Sequence, residues 1–281
     1  MMEVIAGKIK FSNNKKFNLI GGINVLEDYD SALHAAKHFK EVCKRLNIDL
    51  VFKASYEKAN RSSIDSYTGP GLIKGLKMLA KIKEKLDIPI ITDVHLPEEV
   101  DLASQICDII QLPAFLARQT SLVKAISKTS SAVNIKKPQF ISPNQMINII
   151  DKFQKLGKKD LLLCERGTSF GYDNLIVDFL GIGVMKEIGN NLPIIFDVTH
   201  SLQCRNSNAK ISGGRRSQLF DLAKAGIATK ISGLFLEAHV DPNKAKCDGP
   251  SALPLGKLEE FLKPLKEIDQ VVKRQQELLI D

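Results

Sequence analysis

Residues 89–93 read Pro89-Ile90-Ile91-Thr92-Asp93, and residues 193–197 read Pro193-Ile194-Ile195-Phe196-Asp197. Each is a short apolar run that ends on a charged residue. Six more short apolar runs lie along the chain: N-L-I-G-G at 18–22, L-V-F-K at 50–53, D-I-I-Q-L at 108–112, A-V-N-I-K at 132–136, L-L-L-C-E-R at 161–166 and G-L-F-L-E-A at 233–238. They are as short and as apolar as strands buried on both faces of a parallel sheet.

Amphipathic stretches separate them. Residues 30–46 place Leu33, Ala36, Val42 and Leu46 near one helical face, and residues 72–86 do the same with Leu72, Leu76, Leu79 and Ile82. Pro143 after Ser142 predicts a helix start, Gly157 and Gly226 predict helix stops, and a last helix is expected over 258–279. Eight β-α units in about 260 residues predict a (β/α)8 TIM barrel, with a doubly wound sheet as the competing architecture. The segment around Val4 and Ile9, turning at Gly7, predicts a short N-terminal β-hairpin that closes the barrel bottom. No linker or composition shift divides the chain, so residues 1–281 are expected to form one domain.

The bulk properties narrow the class. With 44% hydrophobic and 26% charged residues in 281, the chain is neither disordered nor collagen-like. No 18-residue apolar run offers a transmembrane helix, so no membrane partner is expected. The N-terminus lacks a basic segment followed by an apolar one, so a cytoplasmic location is expected. The net charge of +8 is spread over scattered lysines, without the basic tail or arm of a nucleic-acid binder. Only eight residues are Arg, and a chain that defaults to Lys keeps Arg where a planar fork is needed. Cys43, Cys107, Cys164, Cys204 and Cys247 are odd in number and widely spaced, which argues for reduced thiols rather than disulfides or structural zinc.

Barrel chemistry sits at the C-terminal ends of the strands. There the sequence places Asn24, then Lys53 and Ser55, Asp93 and His95, Gln111, Lys136 and Lys137, Glu165 and Arg166, Asp197 and His200, and Glu237 and His239. A polar group at every strand end marks that rim as the active site. Three segments there, residues 54–71, 199–216 and 238–254, exceed the typical loop of about 2–6 residues, as functional loops do. Lys53, Lys58, Arg61, Arg118, Lys136 and Arg166 make the rim cationic, with few free carboxylates expected, and so suited to phosphates and a carboxylate. Arg61 with Ser62 and Ser63 reads as a phosphate cradle. His200, Glu237 and Asp248 are a possible divalent-metal set and equally a hydrogen-bonded acid–base cluster.

The strings F-K-A-S-Y-E-K-A-N-R-S-S, T-D-V-H, I-Q-L-P-A-F-L-A-R-Q-T, K-K-P-Q-F-I-S-P, C-E-R-G-T-S-F-G-Y-D-N-L, I-F-D-V-T-H-S-L-Q and C-D-G-P-S-A-L-P-L closely resemble the 3-deoxy-D-manno-octulosonate 8-phosphate synthase family over about residues 5–275. The resemblance implies condensation of phosphoenolpyruvate with D-arabinose 5-phosphate and water. The products are an eight-carbon sugar acid phosphate, destined for lipopolysaccharide, and inorganic phosphate. It implies that Lys53, Ser55, Lys58, Gln111, Ala114, Lys136 and Arg166 hold phosphoenolpyruvate. Asn60, Arg61 and Ser62 would hold the pentose phosphate, and Arg118 would reach the phosphate site of a neighbouring subunit in a homotetramer. Asn24, Asp93, His200, Glu237 and Asp248 would surround the reacting carbons, with the acid and the base among them unassigned. One class of the family binds a divalent ion through a Cys at the position of Asn24; the Asn, with Pro250 and Ala252, resembles the metal-independent class, so no metal and no cofactor are expected. The related synthase that uses erythrose 4-phosphate is the nearest alternative.

Overall fold

The computed structural model describes residues 2–204, 213–276 and 278. Eight strands, β1 (Asn18–Val25), β2 (Leu50–Ser55), β3 (Ile90–Asp93), β4 (Ile109–Leu112), β5 (Ala132–Lys136), β6 (Leu161–Glu165), β7 (Ile194–Asp197) and β8 (Gly233–His239), pair in parallel with their neighbours. β8 pairs with both β7 and β1, which closes the ring. Closure excludes the doubly wound sheet, whose edges stay open. All eight expected apolar runs lie on these strands.

The helices α1 (Tyr29–Leu46), α2 (Leu72–Leu86), α3 (Val100–Ser104), α4 (Thr120–Ser127), α5 (Met146–Lys155), α6 (Phe179–Ile188), α7 (Leu219–Ala228) and α8 (Leu258–Arg274) follow the strands in turn. α1 starts where the Asp28 carboxylate accepts the Ser31 N–H at 2.8 Å, satisfying an orphan donor of the first turn. It buries Leu33, Ala36, Val42 and Leu46, as its periodicity predicts. The turn Pro143–Gln145 opens α5, and Gly157, at φ 82°, supplies the left-handed residue just past its end.

Two helix ends differ from expectation. Gly226 is no stop: it lies inside α7, which ends at Ala228. A Cβ at Gly226 would sit 2.2 Å from Cδ1 of Phe196, so the glycine is there to let α7 lie flush on β7. The last helix ends at Arg274 instead of 279, with Gln275 extended; residues 277 and 279 lie outside the described ones.

Strand side chains alternate, so one face of each barrel strand looks inward. The lower inward layer is apolar: Ile20, Val51, Ile91, Ile109, Ala132, Leu162, Ile195 and Phe235 pack together with Val4, Ala6, Ile9 and Phe11. Those last four come from the antiparallel hairpin Val4–Ala6 and Ile9–Phe11, which closes the barrel bottom. Leu-, Ile- and Val-rich outward faces bury a second, larger cluster beneath the helices.

Candidate active site

Moving two residues up each strand from the apolar layer keeps the inward direction and reaches the polar rim. Val51 leads to Lys53 and Ser55, Ile91 to Asp93, Ile109 to Gln111, Ala132 to Asn134 and Lys136, Ile195 to Asp197, and Phe235 to Glu237. These side chains are nearly all buried, and buried polar groups need partners.

On one side, Lys53 Nζ donates to Asp93 Oδ1 at 2.8 Å and to Ser55 Oγ at 2.6 Å, and the Ser55 hydroxyl donates to the same carboxylate. Asp93 Oδ2 faces His95 Nε2 at 3.2 Å. Burial alone would raise the Asp93 carboxyl, but the cations of Lys53, Lys58 and His95 hold it well below the usual carboxylate range. Gln111 accepts from Asn134 Nδ2 at 3.2 Å.

Across the barrel, Lys136 Nζ is bonded to Asp197 Oδ2 and lies 3.4 Å from the centroid of the Phe235 ring. His200 Nδ1 meets the same Asp197 oxygen at 2.7 Å. Its other nitrogen, Nε2, is 3.6 Å from Glu237 Oε2. Burial opposes the charge of Asp197, and His200 and Lys136 outweigh it, so the group stays ionised. Asn24 Nδ2 donates to Glu237 Oε2 and, at 3.0 Å, to Asp248 Oδ2. Thr199 Oγ1 accepts the Glu237 backbone N–H at 2.9 Å.

The expectation of few free carboxylates on the rim is overturned. Asp93, Asp197, Glu237 and Asp248 all lie among the cations, and two of the expected anion binders, Lys53 and Lys136, already hold a carboxylate. A lysine on a buried inward position needs a counterion before any substrate arrives. That leaves Lys58, Arg61, Arg166 and the exposed Arg118 without a carboxylate partner among the described residues. Arg166 donates to Gln203 Oε1 at 2.8 Å while its Nη1 is buried and unpartnered. Arg61 donates to Cys247 Sγ at 2.5 Å and to the Lys246 carbonyl at 3.2 Å, and its Nε is buried and unpartnered. Burial works against the Lys58 charge, but the carboxylates of Asp93, Glu237 and Asp248 outweigh it and raise its pKa.

Other expected residues stand apart. Asn60 and Ser62 are exposed on the β2–α2 loop beside Arg61, and Ala114 is half-buried in the turn after β4. Arg118 is exposed, with no side-chain bond to these groups among the described residues. Lys137 is drawn off the rim: it donates to Thr168 Oγ1 at 2.9 Å and faces Glu165 at 3.7 Å, tying down the loop after β6. Residues 205–212 of the long β7–α7 loop lie outside the described ones.

Asn134, Gln203, Thr199, Tyr56 and Glu99 also support the rim, and the sequence reading passed over them. Asn134 carried a signal, a carboxamide inside an apolar run. Glu99 carried none: an acid in a helix's first turn reads as a solvent-facing charge.

For metals, Glu57, His95 and Glu99 bring three ligand-type atoms within 4.8 Å of one another. Glu99 Oε2, however, accepts from Tyr56 OH at 2.6 Å, His95 N at 2.7 Å and Leu96 N at 3.2 Å, and His95 is turned to Asp93. This is a hydrogen-bonded cluster. At His200, Glu237 and Asp248 the Asn24 amide nitrogen occupies the space between the two carboxylates, which favours the acid–base alternative. Burial, with Asp248 adjacent, pushes the Cys247 thiol up, so it stays protonated and a poor ligand.

Residues 2–274 match the model of the DAHP synthetase I family. The 2-dehydro-3-deoxyphosphooctonate aldolase of Parasynechococcus marenigrum (strain WH8102) is 62% identical over 273 residues, covering 97% of this chain and 96% of that protein. The protein of the same name from Prochlorococcus marinus (strain MIT 9313) is 60% identical over 271 residues, 96% of each chain. That from Cronobacter sakazakii (strain ATCC BAA-894) is 55% identical over 275 residues, 98% of this chain and 97% of its own.

Proposed function

Since the chain belongs to the DAHP synthetase I family, we propose that its rim condenses phosphoenolpyruvate with D-arabinose 5-phosphate and water to give 3-deoxy-D-manno-octulosonate 8-phosphate and phosphate. Carbon 3 of the enol attacks the pentose aldehyde, whose oxygen takes up a proton. Water adds at carbon 2, loses a proton, and the C–O bond to phosphate breaks. Both substrates are anions and repel one another, so the protein's task is to hold them side by side against that repulsion.

The observation that carries this reading is the trio of cations around the buried rim carboxylates, Lys58, Arg61 and Arg166, none with a carboxylate partner among the described residues, while Lys53 and Lys136 each hold one. Arg166 and Lys58, with Lys53, Ser55, Gln111, Ala114 and Lys136, hold phosphoenolpyruvate. Arg61, with Asn60 and Ser62, holds the pentose phosphate. Asp197 accepts from His200 Nδ1 and leaves Nε2 facing Glu237, so His200 and Glu237 move the protons while Asn24 and Asp248 orient them. The reaction runs without a metal, with a carboxamide where the other class has a thiolate. The product enters lipopolysaccharide synthesis in the cytoplasm. The enzyme works as a homotetramer in which Arg118 reaches a neighbouring site.

Phosphate release tests the reading. It requires both substrates together, stops when either is omitted, and is slower with erythrose 4-phosphate. Equal or faster turnover with erythrose 4-phosphate would overturn the assignment.

A further inference from the structure

We propose that Glu99 and Tyr56 are positioning residues for the phosphoenolpyruvate side of the site, acting through His95 and Asp93 on Lys53. The proposal rests on the function proposed above. A continuous chain of contacts supports it. The Tyr56 hydroxyl donates to Glu99 Oε2 at 2.6 Å, and the backbone N–H groups of His95 and Leu96 donate to the same oxygen. Three donors fix that carboxylate. Glu99 Oε2 then lies 3.7 Å from His95 Nδ1, a buried nitrogen with no hydrogen bond of its own. The other ring nitrogen meets Asp93 Oδ2 at 3.2 Å. Asp93 Oδ1 takes Lys53 and Ser55.

A ring with a carboxylate facing each nitrogen is held as imidazolium. Burial opposes that charge, but Asp93 and Glu99 outweigh it and lift the pKa to about 9. Glu57 lies close by and adds to the same field. The Tyr56 ring packs edge-on against His95 at 5.7 Å between centroids, which fixes the ring plane. The charges therefore alternate from Glu99 to His95 to Asp93 to Lys53. Asp93 faces two cations, one on each oxygen, so it neither rotates nor takes up a proton. Lys53 and Ser55 are thereby aimed before the substrate binds. Removing the Glu99 charge returns His95 toward neutrality, and Asp93 loses the cation that fixes its second oxygen.

The experiment follows the His95 imidazole by nitrogen-15 NMR from pH 6 to 10 in the wild type and in Glu99→Gln, with His95→Gln to assign the signal, and measures both Michaelis constants. The expected result is a fall of one pH unit or more in the His95 midpoint, a threefold or greater rise in the constant for phosphoenolpyruvate, and a change under twofold in that for the pentose phosphate. An unchanged His95 midpoint, or constants that rise together, overturns the proposal. Should Glu99→Gln not fold, Glu99→Asp keeps the charge and draws it back from His95 Nδ1 by one methylene; a smaller fall in the midpoint supports the proposal and no fall overturns it. A wild type that releases no phosphate defeats the function proposed above, while the His95 titration still decides the chain of charges.

Discussion

The Asn24 carboxamide donates to Asp248 Oδ2 at 3.0 Å, and the same nitrogen also serves Glu237. One neutral NH₂ group thus bridges two buried carboxylates from the last barrel unit. It supplies the positive edge that a cation would otherwise supply between them. Burial would raise Asp248, but His200 and Lys58 hold it ionised. Activity is therefore expected to survive treatment with EDTA, with metal content measured on the same sample. Lost activity that Mn²⁺ or Zn²⁺ restores would overturn metal independence. Asn24→Asp would place a third carboxylate against the first two, and at ~1.5–3 kcal/mol per charged hydrogen bond a fall of tenfold or more in turnover is expected.

Arg61 reaches across from the β2–α2 loop to the Cys247 thiol and the Lys246 carbonyl in the loop after β8. Neither partner is an anion, so a phosphate would displace weak contacts with a strong one. Arg61→Ala is expected to raise the Michaelis constant for the pentose phosphate roughly tenfold or more, since a charged hydrogen bond is worth ~1.5–3 kcal/mol. The constant for phosphoenolpyruvate should move little. A change in turnover alone, with both constants intact, would remove Arg61 from the cradle.

The barrel and its polar rim are legible in the sequence because strand periodicity and strand-end residues are local properties. Val51, Lys53 and Ser55 share a face by spacing alone. Pairing is not local. Nothing local to Lys53 says that Asp93, 40 residues along the chain, is its counterion, and nothing near Lys136 announces Asp197. The expected excess of free cations failed for that reason. Gly226 failed for another: glycine after an apolar stretch reads as a stop, while its actual constraint is the Phe196 ring from a different element.

That packing makes a prediction of its own. Gly226→Ala should gain up to about 1 kcal/mol in helix propensity. The added methyl would lie 2.2 Å from a ring carbon of fully buried Phe196, and overpacking a core costs about 1–3 kcal/mol. The rigid ring cannot fold aside, so the net effect is a lower midpoint in urea. Equal or greater stability would show that α7 lifts off β7 without penalty.

Arg118 is exposed beside half-exposed Phe115, in the turn that follows β4. If that turn meets a second subunit, Arg118→Ala should weaken the pentose phosphate constant severalfold in the assembled enzyme. Sedimentation is expected to report a tetramer for the wild type. A fully active monomer would remove the proposed crossing.

The His95–Glu99 pair also sets a pH window for stability. His95 rises from an ordinary 6.5 to about 9 on folding, so its contribution is complete below 6.5 and is lost as the pH climbs through 9. Glu99 moves the other way. Burial opposes its charge, but His95, Tyr56 and the backbone donors lower it from 4.5 to about 2. Its contribution is complete above 4.5 and is lost as the pH falls through 2. The His95 rise combines Asp93 with Glu99, and the Glu99 fall combines His95 with Tyr56 and two backbone donors, so the pair's own interaction is only the part the two shifts share. Urea unfolding of the wild type should therefore lose stability between pH 6.5 and 9.5 in excess of any loss in His95→Gln. Comparing the two proteins at each pH removes the contribution of every other titrating group. Parallel losses in both would mean that His95 carries no charge in the folded chain.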